Sequence, residues 1–285
     1  MTVAVLLQCV VVVASAVASG FGLRPLRPQP PPISGILNLY KSPGMTSNDA
    51  CQIVKRILTD GLRERMATPR RPKIKVGHGG TLDMHAEGVL AIGVGSATKL
   101  LSFYLKGSKT YEATGVLGYE TNTLDSHGET VKEAPWQHVT DADLDSAIQS
   151  MQGPYDQVPP LYSCRLGSWA INHETAKKHC GRSLRDYAIR SLPVEVKSSL
   201  VTVHSIERIR VPGAELPRFA LRVTGSGGTY VRSLIRDIAY KLNTLGTLQS
   251  LVRTAKCDLT VDDALRIDSL DYDTIVQNLR TQNLS

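Results

Sequence analysis

No Gly-Lys pair occurs anywhere in the 285 residues. A phosphate-cradling P-loop needs that pair followed by Ser or Thr, so the common nucleoside-triphosphate machinery is excluded. The dinucleotide fingerprint fails too, because Gly93 and Gly95 are followed by Thr98 where Gly or Ala is required. His78-Gly79-Gly80 resembles the oxyanion segment of lipases, but no G-x-S-x-G elbow supplies a nucleophilic serine. The five cysteines (Cys9, Cys51, Cys164, Cys180, Cys257) form no C-x-x-C pair, so neither a structural zinc site nor a disulfide scaffold is indicated. Aromatic residues are scarce, at 5%, yet ten are Tyr, a side chain suited to stacking on unpaired bases. No acidic residue precedes Asp49, and residues 1–23 carry no charge at all.

What is present begins with a leader. Val3 to Ala18 is an apolar run interrupted by Gln8 and ending in small residues, too short for a membrane span. It has the form of a secretory signal peptide without the positive start. Phe21-Gly22-Leu23-Arg24-Pro25-Leu26-Arg27 follows, then Pro28 and the Pro30–Pro32 run as a flexible boundary. A signal peptide ahead of a Phe-led, Arg-bearing, acid-free stretch resembles the bipartite leaders of complex plastids. An organelle is therefore the expected address, plastid ahead of mitochondrion, with a mis-assigned start codon before a nuclear or cytosolic protein as the third reading. Beyond the leader, 42% apolar content suffices for one sizeable core. The balance of 33 basic against 26 acidic residues gives a net +7, as a polyanion-binding protein would have.

The densest signal is Gly77 to Leu90, GHGGTLDMHAEGVL. Glycines this close together disfavour a helix or a strand interior and specify a tight path or the close approach of another group. The apolar run Val89–Val94 that follows reads as a buried strand, so the loop is tethered on its C-terminal side and presents His78 and Asp83. By itself, Asp83 beside glycines would as readily be a turn residue bonding its own backbone.

Around this loop the pattern alternates strands and helices. Gly35–Tyr40 reads as a strand. Thr46 or Ser47 caps a helix whose apolar face is Ala50, Ile53, Val54, Ile57 and Leu58, with Asp60-Gly61 as its stop. Gly61–Lys75 carries six Arg and Lys residues and reads either as a solvated loop or as a phosphate-contacting arm. Ala97, Leu100, Leu101, Tyr104 and Leu105 mark a helix, Lys109–Leu117 a strand, and Asp125–Gly128 a turn. Leu144, Ala147, Ile148 and Met151 face a core from a helix ended by Gly153. Leu221–Thr224 reads as a strand, Gly225–Thr229 as a turn, and Val231, Leu234, Ile235, Ile238, Ala239 and Leu242 as the buried side of a helix.

Ordered segments along the chain carry a family resemblance. The G-H-G-G-T-L-D run is similar to the catalytic motif of the TruB family of pseudouridine synthases. The stretch from Gly35 to Ser47 resembles that family's opening strand and K-P-x-G-x-T-S turn, with Ser42 at the usual proline. Lys109-Thr110-Tyr111 is similar to its K-x-Y strand, and Gln157–Ser163 to its Q-x-P-P-x-Y-S segment. Gly228–Leu234 resembles its G-T-Y-I-R-S motif, and Leu251 with Arg253 its closing L-x-R. The order holds from about Ile33 to Arg253.

The resemblance implies an α/β (α+β) pseudouridine synthase fold, a mixed, largely antiparallel sheet flanked by helices. It divides the chain into a leader and boundary over 1–32, a catalytic domain over 33–270 with a thumb-like insertion near 164–190, and a tail over 271–285. It also implies the isomerisation of the T-loop uridine at position 55 of tRNA. That reaction breaks the ribose bond to the ring nitrogen, turns the base and rejoins it through C5. Nothing is oxidised or lost, so no cofactor and no metal is expected, and one carboxylate nucleophile is the minimum. Asp83 takes that role by resemblance. Arg232 matches the arginine that pairs with it, lowering its pKa and fixing its orientation. Tyr111 and Tyr230 match tyrosines that contact the base, Leu251 the apolar floor beneath it, and His78 the residue that helps hold the base out of the stack.

Several departures shape the expectations. Met84 stands where the family often has Pro, and Asn122 replaces the Asp of its T-D-T segment. The thumb region carries extra residues including Trp169, Lys177, Lys178 and Arg182. The 32 residues after Arg253 are fewer than the appended PUA domain of many relatives needs, so the catalytic domain alone is expected to hold RNA. The expected partner is the tRNA T-loop, with mRNA stem-loops open as a second substrate, no membrane for the mature form, and a monomeric state. The alternative is a catalytically weak relative that binds or folds RNA. Its mark would be loss of Asp83, Tyr111 or Arg232, and all three are present. A zinc deaminase would need a P-C-x-x-C segment, which is absent.

Overall fold

The computed structural model describes residues 33–66, 72–160 and 197–281, together with two short strands at 178–179 and 182–183. The expected leader, Arg70 and Arg71, Tyr162 and Ser163, and Trp169 and Lys177 of the thumb lie outside the described residues. In chain order the strands are β1 (Gly35–Lys41), β2 (Val76–His78), β3 (Glu87–Val94), β4 (Lys109–Leu117), β5 (Tyr119–Thr121), β6 (Thr130–Glu133) and β7 (Gly153–Gln157). They continue with β8 (Lys178–His179), β9 (Arg182–Ser183), β10 (Ser199–Ile209), β11 (Arg218–Gly225), β12 (Gly246–Lys256), β13 (Leu259–Thr260) and β14 (Leu265–Arg266). The helices are α1 (Ser47–Arg65), α2 (Leu101–Lys106), α3 (Asp141–Gln149), α4 (Val231–Lys241) and α5 (Tyr272–Gln277).

One sheet dominates, in the order β14-β1-β3-β12-β4-β11-β10-β7, with β2 added to β3 and β13 to β12. Neighbours run antiparallel except at β1–β14 and at β3–β12. The second exception is a seam. Two antiparallel systems meet there, with Val252 opposite Glu87 and Arg253 opposite Gly88. This is the mixed, largely antiparallel sheet flanked by helices expected from the sequence.

Why Val89–Val94 is apolar without alternation becomes clear from its two faces. Leu90, Ile92 and Val94 pack with α1 through Ala50, Val54 and Leu58, while Val89 and Ala91 pack with Tyr104 and Leu259 on the other side. A strand covered on both faces has no polar side to show. The larger core lies across the C-terminal half of the sheet, where α4 and α3 cover Tyr111, Ala113, Phe219, Leu221 and Val223. All six residues read as the buried side of the helix after Tyr230 are buried in α4 or just past its end. At roughly 1.5–3 kcal/mol for each large apolar side chain, before the entropy of ordering, that face anchors the helix start firmly.

Three local readings need correction, the first being that α3 ends at Gln149 while Gly153, read as its stop, opens β7. Asp60-Gly61 does not stop α1, which continues to Arg65. Gly61 is there for space: a Cβ would collide with the ring of Tyr272 from α5. Likewise Gly77 lies inside β2, opposite Gly93. The facing glycines leave room for the Leu101 side chain, which a Cβ on either would crowd at 3.0–3.2 Å. The N-terminus of α1 is as expected, with Thr46 and Asp49 forming a reciprocal capping box.

Candidate active site

A pocket opens beside the seam, lined by Asp83, Tyr111, Tyr230, Arg232 and Leu251 together with Lys109 and the Gly80–Leu82 and Gly228–Thr229 backbones. Five of the six site residues expected from the sequence thus converge. They come from four parts of the chain. Asp83 comes from the β2–β3 loop, which is fastened to the β1–α1 turn. Leu82 N–H donates to Ser47 Oγ at 2.9 Å, and Gly44 N–H to Met84 O at 3.0 Å. Tyr111 projects from β4 in register with Arg253, and Leu251 from β12 in register with Ala113. Tyr230 caps α4 and is clamped by Gln157, whose Oε1 accepts from its N–H at 2.8 Å while Nε2 donates to its O at 3.0 Å.

Arg232 completes the pocket from the first turn of α4. Its side chain is 5% exposed, and Nε lies 2.9 Å from Asp83 Oδ2. The opposite edge of the guanidinium donates to Thr123 O at 2.8 Å and faces Asp125 Oδ2 at 3.9 Å. A buried guanidinium is therefore fixed from both sides and leaves Asp83, at 29% exposure, open to the pocket. Asn122, which lacks the charge the family pattern would place there, closes the turn instead: its Oδ1 accepts from Glu129 N–H at 3.1 Å. The second carboxylate near Arg232 comes from Asp125, which the sequence marked only as a turn residue.

Beneath the loop lies a set of buried basic side chains that the sequence did not count among the site residues. Arg253 is fully buried and donates to Val89 O at 2.7 Å, Gly80 O at 3.2 Å and Thr81 O at 3.4 Å, holding both ends of the loop. Lys41 donates to Ser42 O and Met45 O at 2.9 Å and to Met84 O at 3.2 Å. Burial lowers its pKa to about 8, against the pull of Asp83. Lys109 donates to Gly107 O at 2.6 Å and Leu105 O at 3.1 Å, and burial lowers it to about 8 as well. Lys256 is fully buried as well. Burial first, then the charges of Arg253 and Lys109, bring it to about 5, so it is neutral at physiological pH. Gly88 lets this layer close up: its φ is +107°, and a Cβ there would strike the Arg253 backbone.

His78 is placed differently. It lies in β2 opposite Ile92 and is not among the residues that line the pocket.

Comparison of folds finds the same architecture in known structures. The complex solved as Cbf5-Nop10-Gar1 contains a chain that superposes with a TM-score of 0.57 at 24% identity, over 83% of this chain and 53% of that one. This chain thus spans about half the length of that structural neighbour. A family description, TruB family pseudouridylate synthase (N terminal domain), matches residues 65–231. The relatives include tRNA pseudouridine synthase B of Streptococcus pneumoniae, 39% identical over 84% of this chain and 74% of its own. Pseudouridylate synthase TRUB1 of Homo sapiens is 37% identical over 87% of this chain and 68% of its own. The chain belongs to the TruB family of pseudouridine synthases, and its reaction is the isomerisation of uridine to pseudouridine.

Proposed function

We propose that the chain acts on tRNA, converting the T-loop uridine at position 55, with Asp83 as the nucleophile. The observation that carries this reading is the 2.9 Å pairing of Asp83 with a buried Arg232 inside a pocket walled by Tyr111, Tyr230 and Leu251. The pairing holds the carboxylate in one orientation, as a nucleophile aimed at a sugar carbon requires. The two tyrosines and Leu251 form a slot for a flat base, which must leave the T-loop stack to enter it. Within the slot the bond from ribose to ring nitrogen breaks, the base turns, and a bond to C5 forms with loss of the C5 proton to water. His78 borders the loop rather than the slot, and its proposed part is to pack against the flipped-out nucleotide from outside. Relatives with tRNA in their names support the choice of substrate.

The test follows from the lost C5 proton. A T-loop stem-loop labelled with tritium at uridine C5 should release its label to water with wild-type protein. Asp83→Asn, nearly isosteric, should release none while binding the RNA normally. Release by purified Asp83→Asn would remove the nucleophile assignment. mRNA stem-loops, a monomeric state, a mature form that does not associate with membranes and an organellar address, plastid first, belong to the same proposal. Fusing residues 1–40 to a fluorescent protein in the source organism tests the address. A diffuse cytosolic or nuclear signal would end the organelle reading.

A further inference from the structure

Asp83 is followed by Met84 and His85, where the loop leaves the pocket. On one side this exit is tied to the β1–α1 turn through Met84 O, which accepts from Lys41 Nζ and Gly44 N–H. On the other side the His85 ring lies flat on the ring of His127, with centroids 3.4 Å apart and planes 5° from parallel. His127 belongs to the turn that also holds Arg232. That turn is knitted by Thr121 Oγ1 donating to Asp125 O at 2.6 Å, Thr123 Oγ1 to Asp125 Oδ1 at 2.9 Å, and His127 N–H to Asp125 Oδ1 at 3.0 Å. It is fastened to β12 by Ser126 N–H to Leu248 O at 2.9 Å and Leu248 N–H to Leu124 O at 3.1 Å. The turn is thus a fixed bracket, and the ring stack joins it to the Asp83 loop at a place where Met84 gives none of the stiffness of a proline.

We propose that His85 and His127 are positioning residues: their stacked rings pin the exit of the Asp83 loop to the bracket that holds Arg232, and so keep carboxylate and guanidinium in register. Neither ring lines the pocket. They act on the reaction only through Asp83. Because the stack is a pair of imidazoles, the pin is sensitive to acid. Two imidazolium ions cannot share this spacing, whereas two neutral rings, or one of each, can stack. The groups facing His85 are His127, Asp125, Lys41 and Asp83. Burial first, then His127 and Lys41, hold His85 below its ordinary value, while Asp125 and Asp83 oppose them. The pin therefore holds at neutral pH and opens below the usual histidine range.

For its effect on rate the proposal rests on the functional reading above; for the pin itself it does not. Single-turnover pseudouridine formation should be followed from about pH 5 to 8 for wild type, His85→Ala, His85→Phe and His127→Phe. His85→Ala should slow the reaction roughly three- to ten-fold, the weight of one ring pair, with RNA affinity little changed. The two Phe variants retain a stack but can never place two charges in it. They should recover most of the rate and lose the acid limb that the histidine pair contributes. A wild-type rate in His85→Ala, or a loss that neither Phe variant recovers, overturns the proposal. An acid limb unchanged in both Phe variants overturns its pH-sensitivity. Amide exchange at Ala86, whose N–H donates to Asp83 O at 3.2 Å, reads the pin without any turnover. Faster exchange in His85→Ala supports it, and equal exchange refutes it, even if wild type proves inactive on every RNA tried.

Discussion

Lys256→Met should stabilise the protein and flatten its pH dependence. Lys256 is fully buried and its folded pKa is about 5, against an ordinary 10.5. In that window the unfolded chain binds one proton more than the folded one, so this group's contribution makes stability rise with pH. The slope for one proton is about 1.4 kcal/mol per pH unit. At pH 7 the distance to the ordinary value corresponds to a ceiling of roughly 5 kcal/mol, and relaxation around the site reduces what is realised to roughly 2–4 kcal/mol. Methionine fills nearly the same volume and has no proton to lose on folding. Urea titrations of both proteins at about pH 6 and pH 8 give the comparison. The stability difference in favour of the variant should shrink by about 3 kcal/mol over those two units, because wild type gains what the variant never lost. Lys41 and Lys109, lowered only to about 8, contribute mainly above this range and largely cancel in the difference. A constant difference between the two proteins at both pH values would show that Lys256 is charged in the folded state.

Arg232→Lys keeps one positive charge but cannot span Asp83 and Thr123 O together. Losing one charge-assisted bond, about 1.5–3 kcal/mol, should lower the single-turnover rate roughly 10- to 150-fold with RNA affinity changed far less. Gly61→Ala should destabilise by about 1–3 kcal/mol in urea titration, because the new methyl meets the Tyr272 ring while the pocket is untouched. If the basic segment at 61–75 and the thumb bind phosphates, replacing Arg70 and Arg71, or Lys177 and Lys178, with Ala should flatten the slope of log affinity against log salt by up to about one unit for each phosphate released. Unchanged slopes in both double variants would leave these segments as solvated loops.

The parts of the fold with strong periodicity were legible. Lys109–Leu117 was bounded correctly because its strand is bracketed by a glycine turn on each side, and the buried side of α4 followed from spacing alone. The family motifs also identified the five residues that meet in the pocket, although Asp83 and Arg232 come from distant segments. What stayed hidden depends on tertiary contact. A lysine in a strand reads as a solvated side chain, so nothing marked Lys41 or Lys256 as fully buried. Lys109 was quoted as part of K-x-Y yet not counted among the site residues, although it lines the pocket. Asp-Gly after an apolar run reads as a helix stop, and only the ring of Tyr272 explains why α1 passes through it. Asp125 looked like turn chemistry, which it is, while also facing Arg232.

The seam between β3 and β12 also sets a timetable. Arg253 must reach back 164 residues to Val89 before the loop that carries Asp83 is held. A chain leaving the ribosome with β4 complete already owns Asp83 and Tyr111 but has neither Arg232 nor Leu251. Contacts this distant along the chain close slowly and late, and they close together with the core that supports them. Until those contacts close, the walls that Arg232 and Leu251 give the slot are missing. The pocket is complete only after the last long strand, which carries Leu251, has been made and docked.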